Sequence, residues 1–324
     1  MANGKRSNYI KQKHPKPIQQ QLNFMSDVID KFVDYGDVFI DGLDEKGYEL
    51  GNDYPIYTMI YQFLDVLDSI SILTRKGSTV SVKILSRTLL ELSMNLRYIL
   101  VMPKEKGKAS YNVCYLERLK AKSKISDENT KAGQNFEANL RKLNQNSKRY
   151  GLIISPIISE RNNSDNDDLY ETYPHLKIAK DEYDKVRKKL NKNNPYNNLE
   201  PNWYSLFNGP NSFRKLLEKF DLAAYYEILY GPQSGELHGS EANAMMQSSD
   251  NGIGITMLRN PEHLQNAIFG VLDITHRLYD FIAESYITEN RKKEYYNWYN
   301  ETIKDKHKKI KHEPLYFINH AYRK

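Results

Sequence analysis

A single cysteine, Cys114, in 324 residues excludes an internal disulfide framework and any cysteine-rich zinc module. Apolar runs are short as well, and none reaches the roughly 20 residues that span a bilayer. The N-terminus, MANGKRSNYIKQKHPKPIQQQ, is basic but no apolar segment follows it, so it does not read as a secretory signal. These absences lead us to expect a cytoplasmic protein that does not engage a membrane. Catalytic motifs are scarce too. The chain has no Gly-rich phosphate loop ending in Lys-Ser or Lys-Thr, no Gly-x-Gly-x-x-Gly, no Gly-x-Ser-x-Gly and no His-Glu-x-x-His. Helical ribonucleases of toxin and anti-phage systems carry an Arg and a His with four to six residues between them on one helix, and that spacing is also missing, since only three residues separate Arg259 from His263.

What is present is ordinary for a globular chain: 40% aliphatic and aromatic residues and 27% charged. The net charge of +6 is unevenly spread. Residues 1–16 hold five basic groups and no acid, residues 291–324 hold ten against four acids, and the body between is slightly acidic. Basic ends of this kind either grip a polyanion such as RNA through its phosphates or keep a tyrosine-rich helical protein in solution.

Periodicity predicts an all-α fold: a multi-helix bundle with a long C-terminal helix and basic, partly flexible termini. The division expected is a basic tail over 1–17, one helical-bundle domain over 18–290 and a basic helical extension over 291–324, with a mobile loop near 155–172 and a linker near 193–210. A first amphipathic helix places Leu22, Met25, Val28, Ile29 and Phe32 at three- and four-residue intervals and should stop at Gly36. Residues 55–75 are apolar on more than one side and belong inside the bundle. Helices follow over 79–102, 105–124, 127–150 and 174–192. A loop or short hairpin is expected around SSDNGIGITML, and a long helix from about Pro261 closes the bundle. Tyr295, Tyr296, Trp298 and Tyr299 on that helix are either a dimer surface or a cover for the core. The acid-rich ERNNSDNDD lacks the spacing of a calcium loop.

Two stretches hold polar residues that a helical core does not need. Within 79–102, Val82, Leu85, Leu89, Leu92, Leu96 and Ile99 form one apolar seam, while Arg87, Glu91 and Tyr98 share another face flanked by Ile84, Leu90 and Met94. Downstream, Tyr226, Tyr230, Ser234 and His238 recur every four residues, with Gly231-Pro232 kinking or restarting the rod. If folding joins the two, His238 is the natural proton carrier, Glu91 orients it or acts as base, and Arg87 holds an anionic group. Tyr226, Tyr230 and Ser234 then donate to the same ligand. The alternative is architectural: Arg87 and Glu91 as a packing ion pair, and His238 as a core histidine locking two helices. No metal is expected, because His238 with Glu91, Glu236 and Glu241 is a weak ligand set, and no cofactor is implied. Cys114 reads as an ordinary helix residue.

RTLLELSMNLRYIL, Trp203, FRKLLEKFDL and YYEILYGPQSGELHGS together resemble a bacterial all-helical family described only as a domain of unknown function. Its pattern is an Arg-x-Leu-x-Glu helix followed by a Tyr-x-x-x-Tyr, Ser and His segment. The resemblance covers roughly residues 55–285 and matches Arg87, Glu91, Tyr226, Tyr230, Ser234 and His238. It implies a fold and a shared polar site. Where members commonly continue from the second tyrosine with a basic residue, this chain has Gly231-Pro232.

Two functional readings follow. The first is a binding or interaction module with a buried Arg/Glu/His site for a small anionic or nucleotide ligand, with a homodimer or a partner protein as its assembly. The second is a metal-independent ribonuclease-like effector acting on RNA in a toxin or anti-phage system.

Overall fold

The computed structural model describes residues 14–50, 53–126, 129–144, 167–192, 199–231, 246–249, 252–255, 259, 261 and 263–312. Among these the fold is all-α, with eleven α-helices and a short β-hairpin. By its contacts the chain gathers into two compact units, 1–100 with 213–324, and 101–212. The sequence reading treats 18–290 as one body.

The first unit is built on α1, Lys16–Glu45. Ile18, Leu22, Met25, Val28, Ile29, Phe32, Phe39 and Leu43 recur at three- and four-residue steps and are all buried. Gly36 does not stop this helix, contrary to the sequence-based expectation. It sits mid-helix because α2, Tyr54–Arg75, comes so close that a methyl group on Gly36 would collide with the Leu64 side chain. The actual stop is Gly47, at φ +87, a left-handed turn that suits glycine. Further along, Ser26 and Ser71 share a buried hydroxyl contact of 2.7 Å, and Arg75 pairs with Asp30.

By length and composition α2 could cross a membrane, but half of its apolar window is buried within this unit. A core helix of a bundle passes the same test. α3 runs Thr79–Val101 and buries Val82, Leu89, Leu96 and Ile99 of the expected seam.

The C-terminal stretch is helical as expected, but in pieces. α9, Leu264–Ser285, ends at Tyr286, and Thr288 caps a new helix by accepting from the Arg291 amide. That helix, α10, Glu289–Trp298, folds back on α9: the Tyr296 hydroxyl lies within donating distance of both Asp280, at 2.7 Å, and Glu284, at 2.5 Å, and Lys292 pairs with Glu284. A π-turn, Tyr299–Ile303, leads into α11, Lys304–His312. Of the two roles open for the aromatic run, Tyr295 and Trp298 take the covering one. Tyr295 is fully buried and Trp298 stacks on Tyr35 at 4.1 Å. The Tyr279 hydroxyl, in the same cluster, donates to the Phe32 carbonyl at 2.7 Å.

The second unit holds α4, Lys104–Ser126; α5, Lys131–Asn144; α6, Asp167–Thr172; and α7, Pro174–Lys192. Trp203 anchors the following chain by packing edge-on to Tyr111 at 6.1 Å. Cys114 is buried and its Sγ points to the Pro201 carbonyl, which fits its reading as a packing residue. Although these helices are rich in lysine, the unit has a polar interior. Glu117 is buried, accepts from the Tyr170 hydroxyl at 3.1 Å and pairs with Lys180 at 3.6 Å.

Back in the first unit, α8, Phe213–Glu218, is followed by a second π-turn, Tyr226–Tyr230. The hairpin pairs β1, Met246–Ser249, antiparallel with β2, Gly252–Ile255, setting Met246 opposite Ile255 and Ser249 opposite Gly252. This is one of the two forms anticipated for that stretch.

Candidate functional site

The polar face of α3 is met by the segment from Phe213 to Gly231. Arg87 Nη2 donates to the Tyr230 hydroxyl at 2.8 Å, joining residues 143 positions apart. Its guanidinium also lies over the Tyr230 ring, 4.0 Å from the centroid, a cation–π contact worth about 0.5–2 kcal/mol. On its own helix, Arg87 Nε donates to Glu91 Oε1 at 3.3 Å. The Arg87 side chain is 16% exposed and that of Glu91 38%, so the pair spans the boundary between core and solvent. Arg87 Nη1 is buried and has no hydrogen-bond partner among the described residues. A buried donor left in that state costs about 1–3 kcal/mol.

The tyrosine side is not the regular rod that the four-residue spacing suggests. From Tyr226 the backbone widens to a π-turn, closed by the Gly231 amide donating to the Tyr226 carbonyl. Glycine eases this closure, since a Cβ at 231 would lie 3.2 Å from that oxygen, a tight contact. Residues four apart still share one side of this turn, and the Tyr226 and Tyr230 rings stack at 5.1 Å and 25°. Phe213 packs on Tyr230 at 4.6 Å. Arg214 lies 5.5 Å over Tyr226 and pairs with Glu227 at 3.1 Å. The result is a ladder: Arg87, Tyr230, Tyr226, Arg214. Its footing is Leu229, buried against Gly270 of α9.

Burial raises the Tyr230 pKa, the Glu91 carboxylate adds to the rise and the Arg87 guanidinium opposes it. The phenol therefore stays protonated at neutral pH, able to accept from Arg87 and donate to an acid. Tyr98, expected on the same polar stripe, is buried with the Lys219 ammonium 5.8 Å over its ring. Ser234 and His238, like Pro232, Glu236 and Glu241, lie outside the described residues, and with them the Glu91–His238 contact on which the acid–base reading depends. Among the described residues no group of three or more His, Cys, Asp or Glu could hold a metal ion.

Sequence reasoning missed two features. Phe213 and Arg214 complete the ladder, and the only hint was an arginine beside an aromatic at a helix start. The other is a His–Tyr cluster on α9, α10 and α11. Its members were read as parts of one long helix, which hid the fold-back that joins them. The basic C-terminal segment is also less free than its charge suggests. Arg291 binds Glu45 at 2.7 Å and Glu294 at 3.0 Å, and Lys309 and Lys311 lie over Phe24 and Phe269.

A family model matches residues 53–253, from the start of α2 into the hairpin. The chain belongs to this family of unknown function, DUF5677. The matched span includes Arg87, Glu91, Tyr226 and Tyr230, so the ladder lies within the family region, whereas α1 and α9 to α11 lie outside it. No curated protein and no solved structure matches the chain.

Proposed function

We propose that this protein is a cytoplasmic binding module for a small phosphate-bearing anion, nucleotides included, and that Arg87 is the residue that receives it. The observation that carries this reading is the state of the guanidinium. Glu91 fixes one edge, Tyr230 fixes the second terminal nitrogen and supports the plane from below, and Nη1 is left as an oriented donor without an acceptor. A planar fork held on two sides is prepared for a tetrahedral oxyanion, because its rotamer is set before binding. In this reading Ser234 and His238 add hydrogen bonds from the segment after the π-turn. The basic ends add long-range attraction for an RNA or nucleotide, and the working unit is a homodimer or a complex with a partner protein.

Calorimetric titration of the full chain with inorganic phosphate, AMP and a short single-stranded RNA tests this. Binding of at least one should weaken by about ten- to a hundredfold in Arg87→Gln, the range for a charged hydrogen bond. Arg87→Lys should not restore it, because a point ammonium cannot keep the Glu91 and Tyr230 contacts together with a free donor. No binding by the wild type, or equal binding by Arg87→Gln, overturns the reading. Cleavage of labelled RNA that is lost in His238→Ala would favour the ribonuclease-like effector instead.

A further inference from the structure

A second polar cluster, independent of the Arg87 ladder, lies where the π-turn and α11 return along α9. His276 Nδ1 contacts the Tyr295 hydroxyl at 2.6 Å, and its ring stacks flat on Tyr299 at 3.9 Å and 4°. The Tyr299 hydroxyl contacts His307 Nδ1 at 3.1 Å, and the two imidazoles stand 6.3 Å apart. His307 is 9% exposed, and its Nε2 is buried with no hydrogen-bond partner among the described residues. With both nitrogens protonated, the Nε2 proton would have no acceptor among the described residues, on a ring whose centroid is 6.3 Å from a second imidazole. We propose that this histidine pair is an acid-sensitive clamp, which keeps α11 docked on α9 while both rings are neutral and releases it when they are protonated.

α1 also packs against α11, with Phe24 under Lys309, but the groups that act on the pair come from the other elements. α9 presents Asp273, Arg277 and Asp280, α10 and the π-turn present Tyr295 and Tyr299, and α11 presents Lys311. The carboxylates favour protonation but do not outweigh burial. Desolvation lowers the His276 pKa, and desolvation with repulsion from His276 and Lys311 pushes that of His307 down to about 4. A histidine depressed in the docked state and ordinary in the released one favours docking fully above about pH 6.5. That preference is lost as the pH falls toward the docked value.

α11 is the part that can leave. α10 is fixed by Tyr295 and Trp298 in the aromatic core and by Arg291 on Glu45. α11 is nine residues long, and its anchors are the ring cluster, Ile303 and Ile310, the Gln265 amide on the Ile310 carbonyl at 2.6 Å, and Lys309 and Lys311 on phenylalanine rings.

Amide hydrogen exchange of the full chain at about pH 7.5 and about pH 5, corrected for intrinsic chemistry, tests the clamp. Protection over residues 303–312 should fall by about 30-fold at the lower pH, the linkage for one histidine moved from about 6.5 to about 4, while α1 and α2 keep theirs. His307→Asn, which retains a polar atom for Tyr299 but does not titrate, should show no such fall, and His307→Phe is a second non-titrating variant. Unchanged protection in the wild type, loss spread evenly over the first unit, or a full acid response in either folded variant overturns the proposal. The wild-type measurement decides by itself if neither variant folds.

Discussion

Arg87 and Tyr230 meet in two ways at once, through a 2.8 Å hydrogen bond from Nη2 to the phenol and through a guanidinium 4.0 Å above the same ring. The two can be separated by substitution. Tyr230→Phe keeps the ring face, along with the packing on Phe213 and Tyr226, and removes only the acceptor. It leaves Nη2 as well as Nη1 without a partner, and should cost about 1–2 kcal/mol in urea unfolding. Tyr230→Ala removes the centre of the ladder and should cost about 3 kcal/mol or more. Equal losses for the two would mean that the hydroxyl carries the whole interaction and the ring contributes nothing.

The Gly36–Leu64 approach predicts a non-additive pair. Gly36→Ala places a methyl inside the Leu64 side chain and should destabilise by about 1–3 kcal/mol through overpacking, despite the better helix propensity of alanine. Leu64→Ala opens room there at its own cost. In the double variant the inserted methyl should be tolerated, so the cost of that variant should fall short of the sum of the two single costs by about 1 kcal/mol or more. Strict additivity would mean that α1 and α2 can separate freely at this point.

These two contacts also show what the sequence could and could not disclose. Helix positions and the α3 seam follow from apolar spacing alone, which is a local property. Gly36 misled because a glycine that stops a helix and one that admits a neighbouring helix look alike until the neighbour is known. The four-residue spacing of Tyr226 and Tyr230 correctly put the rings together, but an α-helical reading could not anticipate the π-turn that Gly231 closes. The break at Tyr286 to Thr288 was hidden by a continuous helical pattern on both sides, so His276 and Tyr299, 23 positions apart in sequence, gave no sign that their rings stack. Arg87 and Glu91 could be identified because a polar stripe between apolar neighbours is visible in one helix. Their partner Tyr230, far along the chain, had to be inferred from chemistry.

Cys114 should behave as an inert thiol. Burial pushes its pKa up to about 12, Arg118 offsets this in part, and Glu200 and Glu117 add to the rise. The thiolate is the reactive form, so a disulfide reagent at about pH 8 should leave the native protein unmodified and titrate one thiol after denaturation. Rapid labelling of the native state would show that the second unit opens around α4 on the reagent's timescale.

Arg97 shares with Arg87 a buried donor that has no partner among the described residues, but no carboxylate pairs with it there as Glu91 does with Arg87, and its charge is costly. It is 8% exposed, donates Nη2 to the Arg277 carbonyl, lies 4.9 Å over Phe281 and leaves Nε buried without a partner. Burial and the neighbouring Arg277 lower its pKa to about 10, with Asp280 opposing, so it stays charged at neutral pH. A desolvated cation bonded to a helix carbonyl rather than to a carboxylate recovers little of what it loses on leaving water, whereas an apolar side chain of similar length loses nothing. Arg97→Met should therefore leave stability within about 1 kcal/mol of wild type or raise it, while Arg97→Ala, which opens a cavity beside Phe281, should cost about 2–4 kcal/mol. Urea midpoints at neutral pH separate these cases. A methionine as costly as the alanine would mean that the carbonyl bond and the Phe281 contact outweigh desolvation, and that this guanidinium is a net tie between α3 and α9.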